Sequence, residues 1–207
     1  MGPALPFCAA PLHWVPKSAT LIYHPYHHPG RAEGAEGMDH EAYMRRALEL
    51  AAQAAEQGDV PVGCVIVRDG EIVGEGRNRR EENGDATAHA ELEAIRDACR
   101  RLGSWRLHRC TMYVTLEPCP MCAGAIVQAR IPRVVIGCMN PKAGCAGSVL
   151  DMLHEDGFNH QAEVETGVLG EECSRMMKDF FKELREEGKR KKAEKTEEIK
   201  EDSHAGN

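Results

Sequence analysis

The chain has 207 residues, 42% of them apolar and 29% charged, with a formal net charge of −7. That length supports one globular domain with a sizeable core and is too short for two large domains joined by a linker. No stretch approaches the length of a membrane span, and the first 30 residues lack the apolar run of a secretory signal, so a cytoplasmic protein is expected. The nine cysteines are odd in number, and several sit inside apolar segments such as 62-VGCVIV-67, which fits reduced thiols better than a disulfide framework. A negative balance argues against a non-specific nucleic-acid coat but leaves room for a local basic groove.

Residues 1–37 hold two basic and two acidic side chains and six prolines, with neither helical nor strand periodicity. They read as a disordered leader, or as a start mis-assigned upstream of Met38. The cluster Tyr23, His24, Tyr26, His27 and His28 offers metal-ligating groups but falls in this unpatterned segment. A helix is expected over 39-DHEAYMRRALELAAQAAEQG-58, capped by Asp39, with Met44, Ala47, Leu48, Ala51 and Ala55 on one face. The runs 60-VPVGCVIV-67 and 71-EIVGEG-76 flank Asp69-Gly70, a type I′ hairpin signal. Residues 77–87 read as a polar loop. Thr87 is the expected cap of a helix through 88-AHAELEAIRDACRRLG-103, with Leu92, Ile95, Ala98 and Cys99 facing inward.

A strand at 111-TMYVTL-116, a helix at 120-PMCAGAIVQAR-130 and a strand at 133-RVVIG-137 follow. A short helix near 148-SVLDMLH-154, an edge strand at 163-EVETG-167 and a terminal helix from about 169 to 187 complete the order. Strands alternating with helices imply a mixed sheet covered on both faces. The folded domain is expected over 38–187. Residues 188–207 read as a charged flexible tail, because residues 182–202 carry eight basic and eight acidic side chains and their later half has almost nothing apolar to bury. All of the charge imbalance therefore belongs to the middle of the chain.

The chemistry concentrates at 89-HAE-91 and 118-PCPMC-122. Two thiolates and one imidazole give three ligands for Zn²⁺ and leave the fourth tetrahedral position for water, as a catalytic site requires. Cys119 and Cys122 at a helix start meet unpaired N–H groups and the positive dipole end, which favour thiolate. Pro118 and Pro120 stiffen the turn that presents them. Glu91, two residues after His89, lies within reach of a metal-bound water without being a ligand. Read alone, Cys-x-x-Cys also fits a redox pair, and Cys110, Cys138 or Cys145 would turn the trio into a closed structural zinc site. The joint pattern, His-x-Glu before a helix and Pro-Cys-x-x-Cys after the next strand, is the signature of zinc-dependent nucleobase deamination.

Over about residues 39–185 the sequence resembles the bacterial-type tRNA-specific adenosine deaminases of the cytidine-deaminase-like superfamily. The resemblance is carried by 60-VPVGCVIV-67, 87-TAHAE-91, 111-TMYVTLEPCPMCAGAIVQARIPRVVIG-137, 142-KAGCAGSVLDMLH-154 and 159-NH-160. It implies a three-layer α/β/α cytidine-deaminase-like fold with a mixed five-stranded sheet. It also implies a homodimer that converts adenosine to inosine at the wobble position of an arginine tRNA anticodon, by attack of zinc-bound hydroxide at adenine C6. One zinc per subunit is held by His89, Cys119 and Cys122, with Glu91 as proton shuttle. The resemblance further assigns Asn78 and the Ala90 backbone N–H to the base, Phe180 or Phe181 to the flanking nucleotides, and the loop 138–147, with Asn140 and Lys142, to the anticodon pocket. Arg77, Arg79, Arg80, Arg130, Arg133, Lys142 and Lys178 are candidates for phosphate contacts, Lys142 first.

The chain departs from the family pattern at Asn140, where Asp is common, at Arg77, where Trp is frequent, and at Ala86, where Pro is frequent. Asn both donates and accepts where ionised Asp only accepts, so an Asn140 that reads a 2′-OH implies a less strict preference for RNA over DNA. Other classes share parts of the signature: a zinc-dependent guanine, cytosine or nucleotide deaminase, a non-catalytic zinc-bearing RNA-binding subunit, and a thiol-rich structural protein.

Overall fold

The structure, a computed structural model, describes residues 39–205, without the side chains of 193 and 196–205. The leader and its His/Tyr cluster lie outside the described residues. The elements run α1 (His40–Glu56), β1 (Gly63–Arg68), β2 (Glu71–Arg77), α2 (Arg80–Asn83), α3 (Ala90–Leu102), β3 (Cys110–Leu116), α4 (Pro120–Ala129), β4 (Arg133–Cys138), β5 (Glu163–Thr166) and α5 (Gly170–Ala205). They build one five-stranded sheet in the order β2-β1-β3-β4-β5. β1 is antiparallel to β2 and β3, whereas β3, β4 and β5 are mutually parallel neighbours.

Strand alternation sorts the core into two layers. Cys64, Ile66, Met112, Val114, Val134 and Ile136 face the layer that holds α3 and α4, where Ala94, Ala98, Ala123 and Ile126 are buried. Val65, Val67, Tyr113 and Val135 face the other way, against Met44 and Ala47 of α1 and Cys173 of α5. Asp39 caps α1 as its sequence position suggests, accepting the Ala42 N–H at 3.0 Å. The buried stripe of α1 is Met44, Ala47, Leu50, Ala51 and Ala54, which leaves Leu48 and Ala55 half-buried beside α5. The hairpin turns with both central residues at positive φ, Asp69 at 52° and Gly70 at 85°, as type I′ demands.

α3 is rotated from the expected face. Its buried residues are Ala90, Glu91, Ala94, Asp97 and Ala98, while Leu92, Ile95 and Cys99 are only half-buried. The cause is close packing on β2. A Cβ on Gly74 would fall 2.5 Å from the Ala94 carbonyl oxygen, and one on Gly76 only 2.1 Å from that of Ala90. The alanine stripe thus lies directly on a strand stripped of side chains, and it carries the start of α3 down to the sheet edge.

Two further expectations are corrected. Thr87 does not cap α3: its hydroxyl donates to Asp85 Oδ1 at 2.8 Å, and His89 is the residue at the cap position. Residues 148–154 form no helix. The Ser148 N–H is taken by the Glu117 carboxylate, Ala146 pairs in an isolated bridge with Asp151, and the segment is held as a loop. The polar loop after β2 contains the short helix α2, and the expected terminal helix continues without a break to Ala205, its described side chains exposed from Phe181 onward. Among the described residues no helix is long and apolar enough to cross a membrane.

Candidate active site

The starts of α3 and α4 meet on one side of the sheet, just beyond the end of β3. His89 and Cys119 each occupy an N-cap position with extended backbone, and neither side chain makes a hydrogen bond back to its own helix. Both are thereby free to point at a common centre. His89 Nδ1 lies 3.6 Å from Cys119 Sγ and 3.5 Å from Cys122 Sγ. A tetrahedral zinc with Zn–S near 2.3 Å and Zn–N near 2.05 Å separates sulfur and nitrogen ligands by about 3.5 Å, which matches both nitrogen-to-sulfur distances. Among the described residues these three form the one group of His, Cys, Asp or Glu donors close enough to share a metal. Cys110, Cys138 and Cys145 stay outside it, which removes the closed four-ligand site. All eight described cysteines are free thiols.

The electrostatics fit a metal centre. The Cys119 thiol, hydrogen-bonded by Cys122 and then by His89, is pulled down to about 4. Cys122 moves the opposite way, because it donates to Cys119 and is buried. A divalent cation placed between them would claim both sulfurs as thiolates. His89 is raised, chiefly by its hydrogen bond to Cys119. Glu91, in the first turn of α3, is 3% exposed. Burial raises its carboxyl above the usual range, with Cys119 and His89 close enough to influence it.

Asn78 follows β2 and is buried. Its Nδ2 donates to the Val60 carbonyl at 3.1 Å, while its Oδ1 is a buried acceptor with no partner among the described residues. The next residue, Arg79, donates its N–H to the Ala88 carbonyl at 2.9 Å, which ties this stretch to the approach of His89. Ala90 opens α3, so its N–H has no intrahelical acceptor. Asn140 and Lys142 lie in the loop after β4, where Asn140 Oδ1 accepts the Lys142 N–H at 3.2 Å. Phe180 and Phe181 meet edge to face at 5.5 Å; Phe180 lines a groove with Leu48 and Ala55 of α1, and the Phe181 ring is exposed. That groove is in the layer opposite α3 and α4.

Several of the arginines are already engaged. Arg77 is paired with Glu82 at 2.7 Å and is mostly buried, and Arg79 approaches the same carboxylate. Arg133 pairs with Glu165, and Arg130 donates to Asn159. Arg80, Lys142 and Lys178 have no ion pair among the described residues. Sequence reasoning missed two buried carboxylates bordering the site. Asp59 accepts the N–H groups of Glu81 and Glu82 at 2.8 and 3.2 Å and anchors α2. Glu117 accepts from the loop after β4. Burial would raise its carboxyl, but the Ser148 hydroxyl and the N–H groups of Asn140, Ser148 and Ala146 hold it below the usual carboxylate range. The one available signal was a charged residue wedged between an apolar strand and the Pro-Cys motif.

Comparison with known proteins agrees with this geometry. The model of the MafB19-like deaminases matches residues 38–185. The tRNA-specific adenosine deaminase of Bacillus subtilis (strain 168) is 52% identical over 153 residues, spanning 74% of this chain and 93% of that protein. The protein of the same name from Streptococcus pyogenes serotype M18 is 46% identical over 147 residues, spanning 71% and 92%. A solved chain from work on A-to-I editing by tRNA:A34 deaminases at the wobble position of transfer RNA superposes with a TM-score of 0.63 at 41% identity, covering 65% of this chain and 98% of that one. A guanine deaminase from Nitrosomonas europaea, at 20% identity and a TM-score of 0.59 over 68% of this chain and 83% of that one, shares the fold alone. With 52% and 46% identity across more than nine-tenths of two such proteins, the chain belongs to the family of the tRNA-specific adenosine deaminases.

Proposed function

We propose that this protein is a zinc-dependent hydrolase that converts adenosine to inosine at the wobble position of a tRNA anticodon, with an arginine tRNA as its substrate. The observation that carries the reading is the convergence of His89, Cys119 and Cys122 with a buried Glu91 in the first turn of the same helix. One zinc ion per subunit, held by those three side chains, would supply an activated water at neutral pH. Glu91 then does the proton work in two transfers: an Oε atom takes a proton from the attacking water and gives it to the adenine ring nitrogen beside C6, then takes the proton of the new C6 hydroxyl and gives it to the departing amino group. Water adds and ammonia leaves at C6, so adenosine becomes inosine with its sugar attached. Burial favours the protonated form of Glu91 and suits it to hold a proton between the two transfers.

Base selection falls to the edges of the site. The unpartnered Asn78 Oδ1 offers an acceptor and the Ala90 N–H a donor. An anticodon loop presents an adenine that is already largely single-stranded, which lowers the cost of splaying it into a recess. Arg80 and Lys142 are free for phosphate, and the exposed Phe181 is better disposed than Phe180 to meet a flanking nucleotide. Exposed Met121, Met139, Val149 and Leu150, on the elements that border the metal group, support a homodimer in which a second copy covers them. A cytoplasmic location is consistent with a tRNA substrate.

Ammonia release screened over an anticodon stem-loop with a wobble adenosine, guanine, cytosine and deoxycytidylate tests the reading. Release from the stem-loop alone, lost in Glu91→Ala with zinc retained, is the expected result. Release from a free base or nucleotide in its place would move the protein to another deaminase class.

A further inference from the structure

Glu117 stands between β3 and the Cys119 turn and belongs to no metal group. It is 1% exposed. Its backbone N–H donates to the Cys138 carbonyl at 2.9 Å, extending the parallel pairing of β3 with β4. Its Oε1 accepts the N–H groups of Ala146 at 2.9 Å and Ser148 at 3.0 Å. Its Oε2 accepts the Asn140 N–H at 2.8 Å and the Ser148 hydroxyl. Four donors from a single loop thus converge on one carboxylate.

The loop is shaped to that carboxylate. A Cβ on Gly144 would fall 2.0 Å from Glu117 Oε2 and 2.2 Å from its Cδ, so only glycine lets the backbone close on the side chain. The Cys145 N–H donates to the Pro118 carbonyl at 2.8 Å, which ties the same loop to the peptide beside the ligand Cys119. The Gly144 carbonyl accepts the N–H groups of Val149 and Leu150 at 3.0 and 3.3 Å. The strand core is packed without Glu117. It is the loop that would be left with unpaired N–H groups on its removal.

We infer that Glu117 is a positioning residue for RNA binding: it fixes residues 140–148, and with them Asn140 and Lys142, relative to the metal-bearing turn, while taking no part in the chemistry. The inference rests on the proposed tRNA activity. An unfixed loop must be ordered by the substrate itself, so the cost appears in KM.

The test follows zinc-loaded wild type, Glu117→Gln and Gly144→Ala on an anticodon stem-loop, with amide hydrogen exchange measured on the same samples. Glu117→Gln is expected to raise KM about tenfold or more, with kcat within about threefold, one zinc per chain retained, and protection lost at Asn140, Ala146 and Ser148. Gly144→Ala, in which the carboxylate is present but displaced, is expected to show the same split and carries the test should Glu117→Gln fail to fold. Retained amide protection, or a fall in kcat or zinc content at unchanged KM, would overturn the positioning role. A wild-type protein inactive on the stem-loop overturns the tRNA reading instead, so the two failures are told apart.

Discussion

The turn that carries Cys119 and the loop that follows Cys138 leave adjacent parallel strands at the same end of the sheet, yet they are held in different ways. The turn is determined by its own sequence: Pro118 and Pro120 restrict it, and α4 begins at once. The loop has no such local rule. Its N–H groups turn inward to a carboxylate more than twenty positions earlier in the chain. The chemical centre is built from short motifs at two helix starts, whereas the rim beside it is held by long-range anchors, the Glu117 carboxylate and the Pro118 carbonyl.

The largest expected effect strikes the chemical centre. Glu91→Ala should lower kcat by about 10³-fold or more with zinc content and fold unchanged, read by single-turnover inosine formation and metal analysis. Loss of zinc in that variant would make Glu91 a member of the metal group and blur the division. Chelator treatment should abolish activity and lower the melting temperature, with zinc restoring both.

Next comes the packing that brings the centre together. Gly76→Ala forces a Cβ against the Ala90 carbonyl. It should cost roughly 2–3 kcal/mol in denaturant unfolding and reduce zinc affinity, because α3 must retreat and take His89 with it. Asp59→Ala, which frees two N–H groups of α2, should cost about 1–2 kcal/mol while leaving zinc binding intact. An equal loss of zinc in both variants would erase the distinction between rim and centre.

The smallest effect is expected at Asn140. Asn140→Asp keeps the acceptor for the Lys142 N–H and replaces the amide donor with a negatively charged acceptor. On matched RNA and DNA hairpins it should sharpen the preference for RNA with little change in stability. An unaltered RNA-to-DNA ratio would remove this side chain from sugar recognition.

What the sequence made legible follows the same division. The helix at Asp39, the Asp69-Gly70 hairpin and the three strands after it arise from short-range patterns, and the structure contains each of them; it also brings His89, Cys119 and Cys122 within reach of one another. The unread parts depend on partners that periodicity does not disclose, some a few residues away and some far along the chain. Thr87 has the chemistry of a helix cap but is captured by Asp85, and α3 turns its alanine face inward because β2 offers glycines there. The apolar spacing of 148-SVLDMLH-154 resembles a helix, yet the Ser148 N–H goes to Glu117 and those of Val149 and Leu150 go back to the Gly144 carbonyl, which holds the segment as a loop. Arg77 looks free in sequence, and only the fold brings Glu82 to it.

The most direct measurement is mass-spectrometric mapping of inosine in an arginine tRNA anticodon stem-loop incubated with the zinc-loaded protein. The account predicts conversion of the wobble adenosine and of no other adenosine in the loop. Protein that carries one zinc per chain and leaves that adenosine unchanged would contradict it.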